Sequence, residues 1–190
     1  MTRLRTSSSA ALLPLSTFRL IAFWLFFWGW LGTASANDIV RLSSGTEQYS
    51  LGQRVSYLED ATRKITVAEL LSGKFDGAFM RNTSPSPNLG FTSSTYWFKT
   101  TLHSEDSSVS EWLLEVQYPL LDYIDVHLVY SGTNQRVVSY LGGDRVPFSE
   151  RQVKHRNMLF KIPLAAGETV TMLMRVRTDS SMQVPLEAPI

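Results

Sequence analysis

The sequence predicts an all-β fold, an antiparallel β-sandwich or jelly roll with one short helix. Three observations carry that expectation. Residues 112–130 hold two alternating runs, with Trp112, Leu114, Val116 and Tyr118 on one face of the first and Ile124, Val126, Leu128 and Tyr130 on one face of the second. A period of two belongs to half-buried strands and not to a helix. Along the chain, most of them after Thr95, about eight such short segments follow one another with Gly, Pro and Asn at the joints, the rhythm of a sandwich. No heptad or internal repeat competes with it.

The first 36 residues read as an export signal. Arg3, Arg5 and Arg19 are their only charges, residues 20–31 form a solid apolar run, and Gly32-Thr33-Ala34-Ser35-Ala36 supplies small side chains. Ala34 and Ala36 fit a signal-peptidase site, which places the mature start at Asn37. The rival reading is an uncleaved anchor, for which the apolar run falls short of the roughly 20 residues a spanning helix needs. Residues 37–52, polar and rich in Gly and Ser, read as a lead-in, and residues 53–190 as one exported domain.

Within that domain residues 54–58 are a candidate first strand. Thr66-Val67-Ala68-Glu69 matches a capping box, so a short helix is expected near residues 66–72, with Gly73 as its stop. Phe75 and Phe79 are expected to anchor the next segment to the core. Residues 81–88, with two prolines and no periodicity, read as a loop. Residues 95–102 alternate Tyr96 and Phe98 against Trp97 and Lys99, and residues 103–110 form a charged turn. Pro119 cannot donate to a ladder, so it ends the strand that begins at Trp112 and opens a corner. Residues 131–134 read as a hairpin turn into a strand over 136–140, and Gly142-Gly143-Asp144 as the next turn. Met158, Phe160 and Ile162 line one further strand. Val170, Met172, Met174 and Val176 line another, with Arg175 and Arg177 opposite, and residues 181–186 read as the last.

Composition excludes several functions. Of 18 Lys and Arg, three lie in the signal segment; the remaining 15 face 17 Asp and Glu, a net charge of −2. That balance argues against nucleic acid, which needs a concentrated basic surface. With no cysteine there is no disulfide, thiolate metal site or cysteine nucleophile. His103, His127 and His155 sit in unrelated elements without the spacing of a metal-binding helix. His127, on the outward face of its strand, reads as a solvated histidine. Asp122 and Asp125 have an odd spacing that puts them on opposite faces of one strand. Gly142-Gly143-Asp144 matches the start of a diguanylate cyclase signature but continues Arg145-Val146, so the match is coincidental. No enzyme activity, cofactor or metal is expected.

The ordered series Asn88-Leu89-Gly90-Phe91, residues 94–99, residues 112–130, residues 143–148, Arg151, residues 175–178 and Gln183-Val184-Pro185-Leu186 resembles the second type of extracellular domain of bacterial seven-transmembrane receptors with diverse intracellular signalling modules. No single motif is specific, but the series spans about residues 55–186. The resemblance implies a jelly roll like that of carbohydrate-binding modules. It also implies a place at the N-terminus of a receptor whose later parts are seven helices and a histidine kinase or cyclic-di-GMP enzyme. The family's final strand runs a few residues past the Pro-Leu element, so a sequence stopping at Ile190 is expected to be truncated.

A bound ligand would therefore be a carbohydrate or small metabolite, with the membrane reached through a receptor part outside this chain and a homodimer as a possible assembly. Sugars are held by flat aromatic faces flanked by polar groups. Trp112 and Tyr130 lie on apolar faces and read as packing. Trp97 and Tyr123 lie on mixed faces and are the surface candidates, with Tyr118 intermediate beside the Pro119 corner. The polar residues in the resembling segments are Lys99, Asp122, Asp144, Arg151, Arg175 and Arg177. They can form a cationic pocket whose guanidinium forks read carboxylates, or they can pair among themselves, Asp144 with Arg151 or Arg175. The ligand-binding candidates are Trp97, Lys99, Tyr118, Asp122, Tyr123, Asp144, Arg151 and Arg175. A sensory input domain is the first reading, and a secreted stand-alone carbohydrate-binding or adhesive module the second. A small secreted enzyme is the third.

Overall fold

Alternation along each strand sorts apolar side chains to one face, and two such faces close on each other. The computed structural model describes residues 39–131 and 136–189. The expected signal segment, its cleavage residues Ala34, Ala36 and Asn37, and the turn over residues 132–135 lie outside the described residues. Strands run in chain order as β1 (Ile39–Leu42), β2 (Gln48–Ser50), β3 (Ser56–Asp60), β4 (Met80–Arg81), β5 (Asn88–Phe91), β6 (Thr95–Ser104), β7 (Glu111–Val116), β8 (Tyr123–Tyr130), β9 (Arg136–Gly142), β10 (Met158–Pro163), β11 (Thr169–Arg177), β12 (Ser181–Gln183) and β13 (Leu186–Pro189). One α-helix, α1 (Val67–Leu71), lies between β3 and β4.

A seven-stranded sheet has the order β4-β3-β6-β11-β8-β9, with β1 added beside β6. A four-stranded sheet has the order β10-β7-β13-β2, and β12 pairs with β5 in a small ribbon. The ladders are antiparallel except β1 on β6. The inner faces pack into one core. Phe98, Leu102, Ile124, Val126, Met172 and Val176 from the larger sheet meet Trp112, Leu114, Val116, Phe160, Ile162 and Leu186 from the smaller. Burying side chains of this size contributes about 1.5–3 kcal/mol each relative to exposure. Trp112 packs edge-on against Tyr49, ring centroids 6.3 Å apart, and Tyr130 donates its hydroxyl to the Pro163 carbonyl at 2.6 Å. Both are the packing residues the pattern predicts.

The structure departs from the sequence expectations in several places. Residues 37–52 are not merely a lead-in. Val40 and Leu42 alternate into the core from β1, and β2 pairs with β13 as an edge of the smaller sheet. The segment expected as the first strand opens with a 3-10 turn over Gly52–Arg54 and becomes β3 two residues later. Residues 181–186 are two strands in two sheets, separated at Val184-Pro185 because proline supplies no ladder donor. The Pro119 corner, expected to end its strand, does so, and the runs on either side of it lie in different sheets. β7 pairs with β10 and β13, β8 with β11 and β9, so the corner carries the chain from one sheet to the other.

The larger sheet has a second buried face. Leu58, Trp97, Val129 and Leu173 on its outer side, with Leu70 of α1, form a separate cluster against which Ile65, Val67, Phe75 and Phe79 pack. The cover is built as the capping box predicts: Thr66 Oγ1 accepts from the Glu69 amide and the Glu69 carboxylate accepts from the Thr66 amide. Lys99 pins the cover to the sheet through Asp76 at 2.9 Å. The cover reaches only part of that outer face, and the site lies where it ends.

Candidate functional site

Five residues in register cross the outer face of the larger sheet: Leu58, Trp97, Arg175, Asp125 and Leu141, one each from β3, β6, β11, β8 and β9. Along that row the environment changes from a fully buried indole to open solvent. One step toward the strand ends, Arg177 and Tyr123 are direct cross-strand partners. These two residues join two adjacent clefts. The larger, about 270 Å³, is lined by Arg63, Asp122, Tyr123, Arg145, Arg177 and Asp179. The smaller, about 90 Å³, is lined by Tyr123, Asp125, Arg175 and Arg177.

The floor of the larger cleft is built by the corner. Asp122 is 7% exposed and accepts from the Asp179 amide at 2.6 Å, Arg145 Nε at 2.8 Å and Thr178 Oγ1 at 3.2 Å. The Asp179 N–H, then Arg145, hold its carboxyl below the ordinary carboxylate range. The Gly142-Gly143-Asp144 turn folds onto the same corner, its Asp144 and Arg145 amides donating to Leu121 and Asp122 carbonyls. Gly143 has φ +120°, and a Cβ there would lie 2.2 Å from the Asp122 carbonyl oxygen, so only glycine fits this approach. Burial, then the neighbouring Asp122 charge, push the Asp144 carboxyl up.

The cationic wall comes from three separate segments, the turn after β3 with Arg63, the turn after β9 with Arg145, and β11 with Arg175 and Arg177. Arg177 is exposed, lies 4.2 Å over the Tyr123 ring, and has no ion pair among the described residues. Arg63, a non-glycine residue at φ +58° in the turn after β3, donates Nε and Nη2 to the Ser93 carbonyl. Arg175 reaches Asp125 at 3.5 Å and the Arg63 carbonyl at 3.1 Å, while its Nε is buried without a partner. Arg175 also lies 5.9 Å from the Trp97 ring, linking the covered region to the open one. His127, expected to be solvated, is half-buried, 5.9 Å from Trp97 and bonded to Ser139 at 2.8 Å. Burial holds its pKa below the usual imidazole value.

The eight candidates read from the sequence separate in space. Asp122, Tyr123 and Arg175 line the clefts. Trp97 is 1% exposed beneath the cover, so its ring is not offered to solvent. Lys99 is engaged with Asp76 and lies over Phe79, serving the cover. Tyr118 packs half-buried on the main core. Asp144 makes its ion pair with Arg145 at 3.9 Å, not with Arg151 or Arg175. Arg151 donates to the His155 carbonyl and lies over Phe148. Asp122 is not on a strand at all; it precedes β8, so the opposite-face geometry with Asp125 does not arise.

Arg63, Arg145 and Asp179 were not among the ligand-binding candidates, since each is a charge in a turn with no periodicity to assign it a face. Arg177 stood with Arg175 among the polar residues read as a possible cationic pocket but was not among the eight ligand-binding candidates. Among the described residues no group of three or more His, Asp or Glu is arranged to hold a metal ion, and no helix is long and apolar enough to cross a membrane.

The family model described as 7TMR-DISM extracellular 2 matches residues 52–188. No curated protein matches the chain.

Proposed function

The chain belongs to the 7TMR-DISM extracellular 2 family, and from that premise we propose that it is the signal-input domain of a bacterial membrane receptor. Its small ligand, a carbohydrate or metabolite, binds at the Tyr123–Arg177 end of the larger sheet. The receptor's output, a histidine kinase or diguanylate cyclase, lies outside this chain, and the domain works on the periplasmic face of a Gram-negative inner membrane after its signal segment is removed. It has no catalytic role in this reading.

The observation that carries the site is Arg177, an exposed guanidinium stacked on Tyr123 with no ion-pair partner among the described residues, at the junction of two clefts. A ligand shifts a receptor only by binding one of its states better than the other. The clefts suit that task because they collect residues from β8, β11, the turn after β3, the β9 turn and the loop after β11. A molecule bound there touches segments that are far apart in the chain, and it biases their relative placement or a dimer equilibrium.

Thermal melting of the purified chain against an array of sugars and metabolites tests the reading. A true ligand at 100 times its Kd stabilises by about 2.7 kcal/mol. We expect Tyr123→Ala to abolish that shift without changing the melting temperature of the free chain by more than a few degrees. A ligand shift that survives the substitution would remove the cleft from the mechanism.

A further inference from the structure

We propose that the larger cleft recognises a small carboxylate and not a neutral sugar, the acid group lying against Arg177 and the unengaged edges of Arg63 and Arg145. This rests on reading the cleft as the ligand site and adds the chemical class of the ligand. Neutral sugars are best held by stacking on exposed aromatic faces, and the three aromatic candidates do not offer them freely. Trp97 is buried, Tyr118 lies against the core, and one face of Tyr123 is occupied by the Arg177 guanidinium.

The contact that blocks the Tyr123 ring prepares Arg177 for an anion. The guanidinium lies 4.2 Å over the ring centroid, and none of its N–H groups has a hydrogen-bond partner among the described residues, so its fork is available to a planar carboxylate through two parallel hydrogen bonds. Arg63 and Arg145 add to it. Arg63 directs Nε and Nη2 to one carbonyl, that of Ser93, which leaves Nη1 without a described partner. Arg145 holds Asp122 through Nε.

The charge balance points the same way. Three guanidiniums face two carboxylates, and Asp122 is already saturated by Arg145, Thr178 and the Asp179 amide. Asp179 is exposed and has no ion pair among the described residues. It is placed to accept from a ligand hydroxyl and to repel a second acid group, so one orientation is favoured. A volume of about 270 Å³ lies just under the roughly 300–1,000 Å³ of drug-sized sites. It holds one acid group on a compact hydroxylated skeleton.

Titration calorimetry and thermal shift at matched ionic strength test this on the purified chain. The probes are D-glucuronate against D-glucose, which differ by a carboxylate in place of a hydroxymethyl group, with L-malate, acetate and inorganic phosphate. We expect glucuronate or malate to bind at least about tenfold tighter than glucose, the scale of one charge-assisted hydrogen bond. Arg177→Ala should erase that preference, and Arg177→Lys, which keeps the charge but not the fork, should restore only part of it. Equal binding of glucose and glucuronate, lost in Tyr123→Ala, would overturn the acid class and leave the cleft as the site. A response to phosphate alone would overturn the carboxylate in favour of a tetrahedral oxyanion. Acid responses that persist in both Arg177→Ala and Arg63→Ala would place binding elsewhere and sink both readings. No response to any acid overturns the inference.

Discussion

The outer face of the larger sheet has two halves built on the same strands. In one, Leu58, Trp97, Val129 and Leu173 lie beneath α1 and its flanking turns. In the other, Tyr123, Asp125, Arg175 and Arg177 open onto clefts. The two meet at a single cross-strand pair, Trp97 opposite Arg175. The strands are alike in pattern; the difference is whether a distant segment covers them. A face that is covered becomes a second core. A face left bare keeps its charges available for a ligand.

Substitutions at three positions probe that division, the strongest on the covered side. Trp97→Ala should cost about 3–5 kcal/mol, the range for removing a large buried aromatic. Chemical denaturation measures it, and a loss under 1 kcal/mol would mean that the cover is only loosely docked. Asp122→Ala, at the base of the open side, should cost about 1–2 kcal/mol because it leaves the Asp179 amide and the Thr178 hydroxyl without their acceptor.

Asp122 also predicts an acid signature. Its folded-state pKa lies below the unfolded value of about 3.9. Its carboxylate therefore contributes stability above about pH 4, and that contribution is lost as pH falls through the folded value. Melting curves from pH 6 to pH 3 should show a shallower acid slope for Asp122→Asn than for the parent chain, and an unchanged slope would contradict the assignment. The smallest effect belongs to Arg177→Ala, within about 0.5 kcal/mol of the parent as for an ordinary surface position. A large destabilisation would make Arg177 a structural residue and not a ligand contact.

How far the sequence carried can be judged from particular residues. Trp112, Tyr130 and the alternating residues of β10 and β11 were assigned correctly to packing because one buried face per strand produces a period of two. The Thr66–Glu69 capping box was legible because it involves only neighbours in the chain. Trp97 was misjudged because β6 is buried on both faces and its alternation therefore carries no inside or outside. Lys99 and Arg151 looked like ligand contacts, but Asp76 and the His155 carbonyl already engage them.

Family membership, strand character and the all-β class follow from order and periodicity along the chain, because neighbouring residues set backbone geometry and side-chain direction. The placing of β7 and β8 in different sheets across Pro119, the burial of Trp97 and the meeting of Arg63, Tyr123, Arg145 and Arg177 around one cleft do not. They depend on long-range contacts between sheets, cover and turns, and a side chain's chemistry depends on which of those surfaces reaches it.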